Sequence, residues 1–183
     1  MKRRVLAIAI VLILCATVGT FAAEKKSATI PWWVSYDSPG TTNLAAGVGY
    51  TEFGFGVQAD LNLTFGQFDI GPIPLSWGAT VAADLGFSYG LGIGAGAFIT
   101  LETGFDFGSI WKFEWRLGIG PGVAFGFSGY YSDPFGFGIG EYSSWTWWFS
   151  NNLGLTLQDV SAYTFDFYGP SLYAYTLGIE LKL

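Results

Sequence analysis

Ser109-Ile110-Trp111-Lys112 has the Ser-x-x-Lys spacing of serine acyl-enzymes, in which a lysine amine helps make the hydroxyl a nucleophile. In those enzymes the pair sits on a helix with further motifs around it. Here Gly108 and Ser109 read as a turn between two extended segments, and Asp106 is available to pair with Lys112, so the spacing is assigned to chance. The chain has no histidine, which removes Ser-His and Cys-His nucleophiles and most zinc sites. The glycine run from Gly90 to Gly96 resembles a phosphate-binding loop, but it alternates strictly with larger residues and no helix follows. Asn62-Leu63-Thr64 fits a glycosylation sequon, yet its strand setting makes use of it improbable.

The charges that remain are Asp60, Asp84, Glu102, Asp106, Glu114, Asp166 and Glu180, set against Lys112, Arg116 and Lys182. Paired carboxylates could cleave glycosidic bonds, but only at a defined separation that the sequence does not supply. No catalytic residue, cofactor or metal site is expected. The set has two other readings. It forms salt bridges and hydrogen bonds that fill a narrow interior, or it lines a cation-leaning pathway, since seven acids outnumber three bases.

Those charges must be positioned by extended strands. Odd positions from Phe53 to Phe65 are all apolar, while the residues between them are Gly, Gln, Asp, Asn and Thr. Only a strand sends alternate side chains to opposite faces. The pattern closes the chain as Tyr173, Tyr175, Leu177, Ile179, Leu181 and Leu183. Strands are predicted near 44–50, 53–65, 75–87, 91–107, 111–127, 145–157, 163–168 and 171–183. Turn residues separate them at Gly71-Pro72-Ile73-Pro74, Gly108-Ser109, Ser132-Asp133-Pro134 and Gly169-Pro170. Glycine interrupts nearly every stretch, at about 1 kcal/mol per residue against a helix.

One hairpin can be written out. A turn at Gly108-Ser109-Ile110 sets Phe107 against Trp111, Phe105 against Phe113, Asp106 against Lys112 and Glu102 against Arg116. Directly opposed pairs of these kinds each stabilise a sheet by about 0.2–1 kcal/mol. Pro121, within Gly118-Ile119-Gly120-Pro121-Gly122, reads either as a bulge in one long strand or as a turn. In the second case the count rises from eight strands toward ten, and residues 44–50 leave the barrel or pair with Ile30–Tyr36.

Alternation alone does not say which face is wet. The even positions are Gly, Ser, Thr and Asn with few charges, and charged residues make up 12% of the chain. A soluble surface carries about 25–35%. The bulky residues are therefore assigned to lipid and the small polar ones to a narrow lumen. Hydrocarbon demands that every backbone polar group be paired internally, which a closed barrel achieves. Trp77, Trp111, Trp115, Trp145, Trp147, Trp148, Tyr130 and Tyr131 fall near strand ends, where aromatic girdles lie.

Residues 1–23 read as a signal peptide: Lys2, Arg3 and Arg4, then an apolar run from Val5, then small residues ending at Ala22-Ala23. Cys15, the single cysteine, follows Leu14, which does not suit lipoprotein cleavage. Residues 24–43 form an N-terminal segment with Pro31-Trp32-Trp33 near the interface, and 44–183 form the barrel. The net charge of −6 disfavours nucleic acid as a partner.

With its signal peptide, strand pattern and terminal strand, the chain resembles the small outer-membrane barrels of the OmpA, OmpX and OmpW kind. The resemblance implies an all-β, closed, antiparallel, up-and-down transmembrane barrel of eight strands, located in the outer membrane. It implies a non-enzymatic role, membrane lipid as surroundings, and insertion by the barrel-assembly machinery. That machinery would read Tyr173, Tyr175, Leu177, Ile179, Leu181 and Leu183, although such signals usually end in Phe or Trp. Three functions are expected to compete. One is a structural barrel or narrow channel, and another is an adhesive barrel acting through an exposed loop at 130–144. The third is a soluble periplasmic barrel that binds lipid.

Overall fold

The computed structural model describes residues 32–88, 90–108, 112–127, 131–165 and 169–183. The signal segment 1–23, Tyr130, Trp111 and Asp166 lie outside the described residues. Nine strands are present among those described: β1 (Trp33–Val34), β2 (Thr42–Thr51), β3 (Gly54–Ile70), β4 (Ile73–Gly86), β5 (Gly92–Asp106), β6 (Lys112–Gly126), β7 (Phe135–Trp148), β8 (Leu153–Thr164) and β9 (Leu172–Lys182). From β2 to β9 each strand pairs antiparallel with the next, and β2 pairs with β9, so eight strands close a ring. The two-residue β1 docks on the end of β5, with Trp33 opposite Phe105 and Val34 opposite Gly104. It does not pair with 44–50, as a hairpin with Ile30–Tyr36 would require.

The hairpin written from the sequence has the observed register: Phe105↔Phe113, Asp106↔Lys112 and Glu102↔Arg116. Pro121 lies inside β6 and is no turn, so the ten-strand count falls. The β6–β7 ladder runs through Pro121↔Ile139, while the β5–β6 ladder lapses between Gly96↔Gly122 and Ile99↔Ile119. A residue with no N–H to donate fits a gap in a ladder. Among the described residues the one register shift is in β3, between Thr64 and Gly66.

Three expectations are corrected. Residues 145–157 are not one strand but the facing ends of β7 and β8, joined by a turn over 149–152 in which the Phe149 N–H donates to the Leu153 carbonyl at 3.0 Å. The loop expected at 130–144 is mostly strand, because β7 begins at Phe135. The cause is parity. A four-residue turn leaves Trp145, Trp147, Leu153, Leu155 and Leu157 all on odd positions, so period 2 continues across the reversal unbroken. The glycines at 136, 138 and 140, read as loop residues, are the small inward partners of Phe135, Phe137 and Ile139. Of the segment expected as a strand at 163–168, residues 163–164 are the end of β8, and 166–168 lie outside the described residues.

From β3 to β9 the odd positions face out as a wide apolar belt, for example Val57, Leu61, Val81, Ile99, Ile139 and Leu177, and the even positions face in. In β2 the parity is reversed, with Leu44, Val48 and Tyr50 outward and Asn43, Ala45 and Thr51 inward, and Phe53, assigned to lipid by its odd position, is buried in the lumen. The barrel middle is therefore polar and the exterior greasy, which is inside-out for a water-soluble fold. At one end lie the N-terminal strap, the C-terminus, the turns at 71–72 and 149–152, and the facing ends of β5 and β6. At the other lie the turn at 52–53 and the facing ends of β4 and β5, of β6 and β7, and of β8 and β9.

Candidate functional site

The inward face fills the lumen in layers. The layer nearest the termini is centred on Arg116 of β6, which is 1% exposed. Its Nε donates to Glu102 Oε2 of β5 at 3.2 Å, and its Nη1 donates to Glu180 Oε1 of β9 at 3.1 Å. Its Nη2 also reaches Glu114 on its own strand. Glu180 accepts in addition from Thr146 of β7, and Glu114 accepts from Trp148 Nε1 at 3.0 Å. Three strands are thus tied together through one guanidinium, whose planar fork can serve several carboxylates at once, and β7 joins them through the acids.

The sequence did not point to the next participant. Residues 35–41 fold into the mouth of the barrel, and Asp37 there is 0% exposed. Its carboxylate meets Lys182 Nζ and lies 3.7 Å from Arg116 Nη2, while Asn43 Nδ2 donates to it. Its carbonyl accepts from Ser76 Oγ at 2.6 Å and from Gln67 Nε2 at 2.8 Å. The Tyr36 hydroxyl donates to the Phe105 carbonyl at 2.8 Å, and Gly40 N–H donates to the Thr64 carbonyl at 2.9 Å. Burial, with Asp106 and Glu114 nearby, holds the Tyr36 phenol well above its ordinary range, which keeps it a donor. Lys182 lies 4.5 Å above the Trp148 ring, a cation–π contact. No sequence pattern marks Asp37, since the strap has no alternation to read.

Asp37, Glu102 and Glu114 bring carboxylate oxygens within 4.8 Å of one another. Arg116 and Lys182 already sit among these oxygens, so the chain supplies its own counter-charge.

Toward the far end, Asp60 accepts from the Tyr142 hydroxyl at 2.7 Å and from Gln158 Nε2. Thr176 bridges Gln58 and Gln158, both at 3.2 Å. Beyond this layer the lumen turns apolar, with Phe98, Tyr142, Val160, Leu172 and Ala174 packed together. The glycine run explains how such bulk fits. A Cβ at Gly96 would stand 2.6 Å from the Phe98 ring, and one at Gly92 would overlap the Phe53 ring. Phe53 closes the far mouth with Tyr131, whose hydroxyl donates to Glu52 at 3.0 Å. Burial first, then the neighbouring Glu52 carboxylate, pushes the Tyr131 phenol up to about 12.

Of the charges singled out in the sequence, Asp60, Asp84, Glu102, Glu114, Arg116 and Glu180 are buried inside the ring. Lys182 is half-buried at the terminal mouth. Asp84 stands apart, because neither of its oxygens has a hydrogen-bond partner among the described residues. Asp106 and Lys112 are corrected from lumen to rim. Their backbones pair at the end of the β5–β6 hairpin, but Asp106 accepts from Gly108 N–H at 2.9 Å and makes no described ion pair with Lys112. Along the lumen, charged and polar side chains near the termini give way to aromatic and aliphatic ones toward the far mouth.

No family model matches the chain, and no curated protein matches it. Among solved structures, the chain is similar to Ail, the attachment invasion locus protein of Yersinia pestis, at 14% identity and a TM-score of 0.42, over 79% of this chain and 99% of that one. The same protein in complex with the heparin analogue sucrose octasulfate matches at 15% identity and a TM-score of 0.41, again over 79% and 99%. By its own ring of eight antiparallel strands and its apolar exterior, the chain has the architecture of a small outer-membrane barrel.

Proposed function

We propose that this chain is a non-enzymatic structural barrel of the outer membrane, sealed against ions along its whole length. One observation carries this reading. Arg116, Tyr142, Phe53, Phe98 and Leu172 are all fully buried side chains pointing into the ring, and together they span it from the strap to the far mouth. A cation pathway would need acids free to bind and release ions in sequence. Four of these acids are engaged with Arg116 and Lys182 instead. Outer-membrane location is supported by the greasy exterior and by the export-type leader read in residues 1–23. The outward row of β9 from Tyr173 to Leu183 suits recognition by the assembly machinery at insertion.

Reconstitution into a planar lipid bilayer tests the proposal. No unitary conductance is expected from the unsubstituted chain. Steps of conductance that scale with protein added would overturn the sealed reading and restore the channel.

A further inference from the structure

The apolar belt is broken at one place. Among the described residues, Glu141 of β7 and Asp159 of β8 are the only charged side chains on the outward face away from the strand ends. They stand diagonally across the β7–β8 ladder, where Glu141 is opposite Ser161 and Ser143 is opposite Asp159. All four side chains face out. On the other side of β8, Asp159 is opposite Tyr175 of β9. The patch sits at mid-height. Ile139, Phe137 and Tyr163 lie above it along the two strands, and Trp145, Trp147 and Leu157 lie below.

Neither carboxylate has a hydrogen-bond or ion-pair partner among the described residues, and both are exposed. In water that would be ordinary. If the belt faces hydrocarbon, as proposed above, it is not. Ionisable groups inside a bilayer are costly, and where they persist they are generally paired.

We infer that this outward patch is a docking surface for a different membrane-embedded protein, one that presents a lysine or arginine at mid-bilayer depth. Charge complementarity selects that occupant. A second copy of this chain would bring Glu141 and Asp159 against the same two acids in a two-fold contact. The chain has no described cation on its outward face to answer them: Arg116 is in the lumen, Lys182 is at its mouth and Lys112 is at the rim. The serines and Tyr175 then supply donors and acceptors around the incoming cation, inside an apolar frame that excludes water.

The inference rests on the membrane reading, and the test separates the two. The chain carrying Cys15→Ser and Asn151→Cys is labelled at the exposed turn residue and refolded into liposomes. Energy transfer is then measured to synthetic apolar helices of about 20 residues, long enough to span. One helix bears a single central lysine and its twin a leucine. The lysine helix is expected to bind about tenfold more tightly. Glu141→Leu with Asp159→Leu should abolish the difference while refolding at least as well, since it removes charge from a lipid face. Equal binding of both helices to the unsubstituted barrel would overturn the inference. So would strong transfer between two labelled copies of the barrel that the double substitution removes, because self-association would then occupy the patch. Heat-modifiable gel migration of every sample monitors insertion. Failure of the unsubstituted chain to insert would overturn the membrane reading itself, and the docking surface with it.

Discussion

Arg116 and Glu180 are 64 residues apart in sequence, yet Nη1 of one donates to Oε1 of the other at 3.1 Å across the lumen. The contact joins β6 to β9, strands that are not neighbours in the ring. It acts as a strut across the β7 and β8 walls, and Glu102 and Glu114 complete the cage around the same guanidinium.

Arg116→Met should therefore be among the most damaging single changes in the chain. It leaves Glu102, Glu114 and Glu180 without their shared partner in a site closed to solvent. Breaking a buried ion pair from one side costs about 3–5 kcal/mol. Urea unfolding of the refolded barrel in liposomes, followed by tryptophan fluorescence, should show a loss of that size. Glu180→Gln, which keeps the shape and removes one charge, should cost clearly less. Equal losses would mean that the acids are not held by the arginine.

Asp37→Ala should loosen the strap without opening the ring. Lys182 and Asn43 lose their common partner, while the Tyr36 and Gly40 hydrogen bonds to the barrel remain. Trp148 is 2% exposed beneath this strap. Its quenching by acrylamide, isolated by comparison with a Trp148→Phe background, should rise in the variant. The refolded yield should be unchanged.

Gly96→Val should destabilise the far half of the lumen. Its Cβ would stand 2.6 Å from the Phe98 ring and 2.9 Å from Leu172. Overpacking of this kind costs about 1–3 kcal/mol. Combining it with Phe98→Ala should recover most of the loss, which a double-mutant cycle would measure.

Leu61→Arg should hinder insertion, because Leu61 faces outward in mid-strand and an arginine at that depth costs about 2–4 kcal/mol. Asn152→Arg, in the exposed turn between β7 and β8, should refold normally. Refolding kinetics in liposomes of one composition would compare the two.

At high pH, Tyr131 should report on the far mouth. Its phenol is held near 12 against an ordinary value of 10.0. Between those two pH values the unfolded chain has lost this proton and the folded chain has kept it. Stability from this residue is thus fully present below about pH 10 and declines as pH rises toward 12. Ultraviolet titration of the unsubstituted chain minus Tyr131→Phe should show one phenol ionising near the upper limit. An ionisation near 10 would mean the mouth is open.

The strands themselves were legible from period 2 alone, and so was the β5–β6 register, because a short turn and two opposite-charge pairs are local information. The outward and inward faces were legible for most residues, since the chain lacks the charges to wet a second face, but Phe53 and Trp148, assigned to lipid and to an interface girdle, point into the lumen. Parity, however, is blind to any turn of even length. The reversal at 149–152 keeps odd residues apolar on both sides, so β7 and β8 were out of place and Glu141 appeared to lie in a loop. Ser150-Asn151-Asn152 was the turn signal that could have located it. What lies across the lumen is decided only when the ring closes. Closure and stagger bring Glu180 to Arg116, carry Asp37 from an unpatterned strap into the same cage, and set Glu141 beside Asp159 on the outer wall. Neighbouring residues determine which way a side chain points, while distant strands determine what it meets.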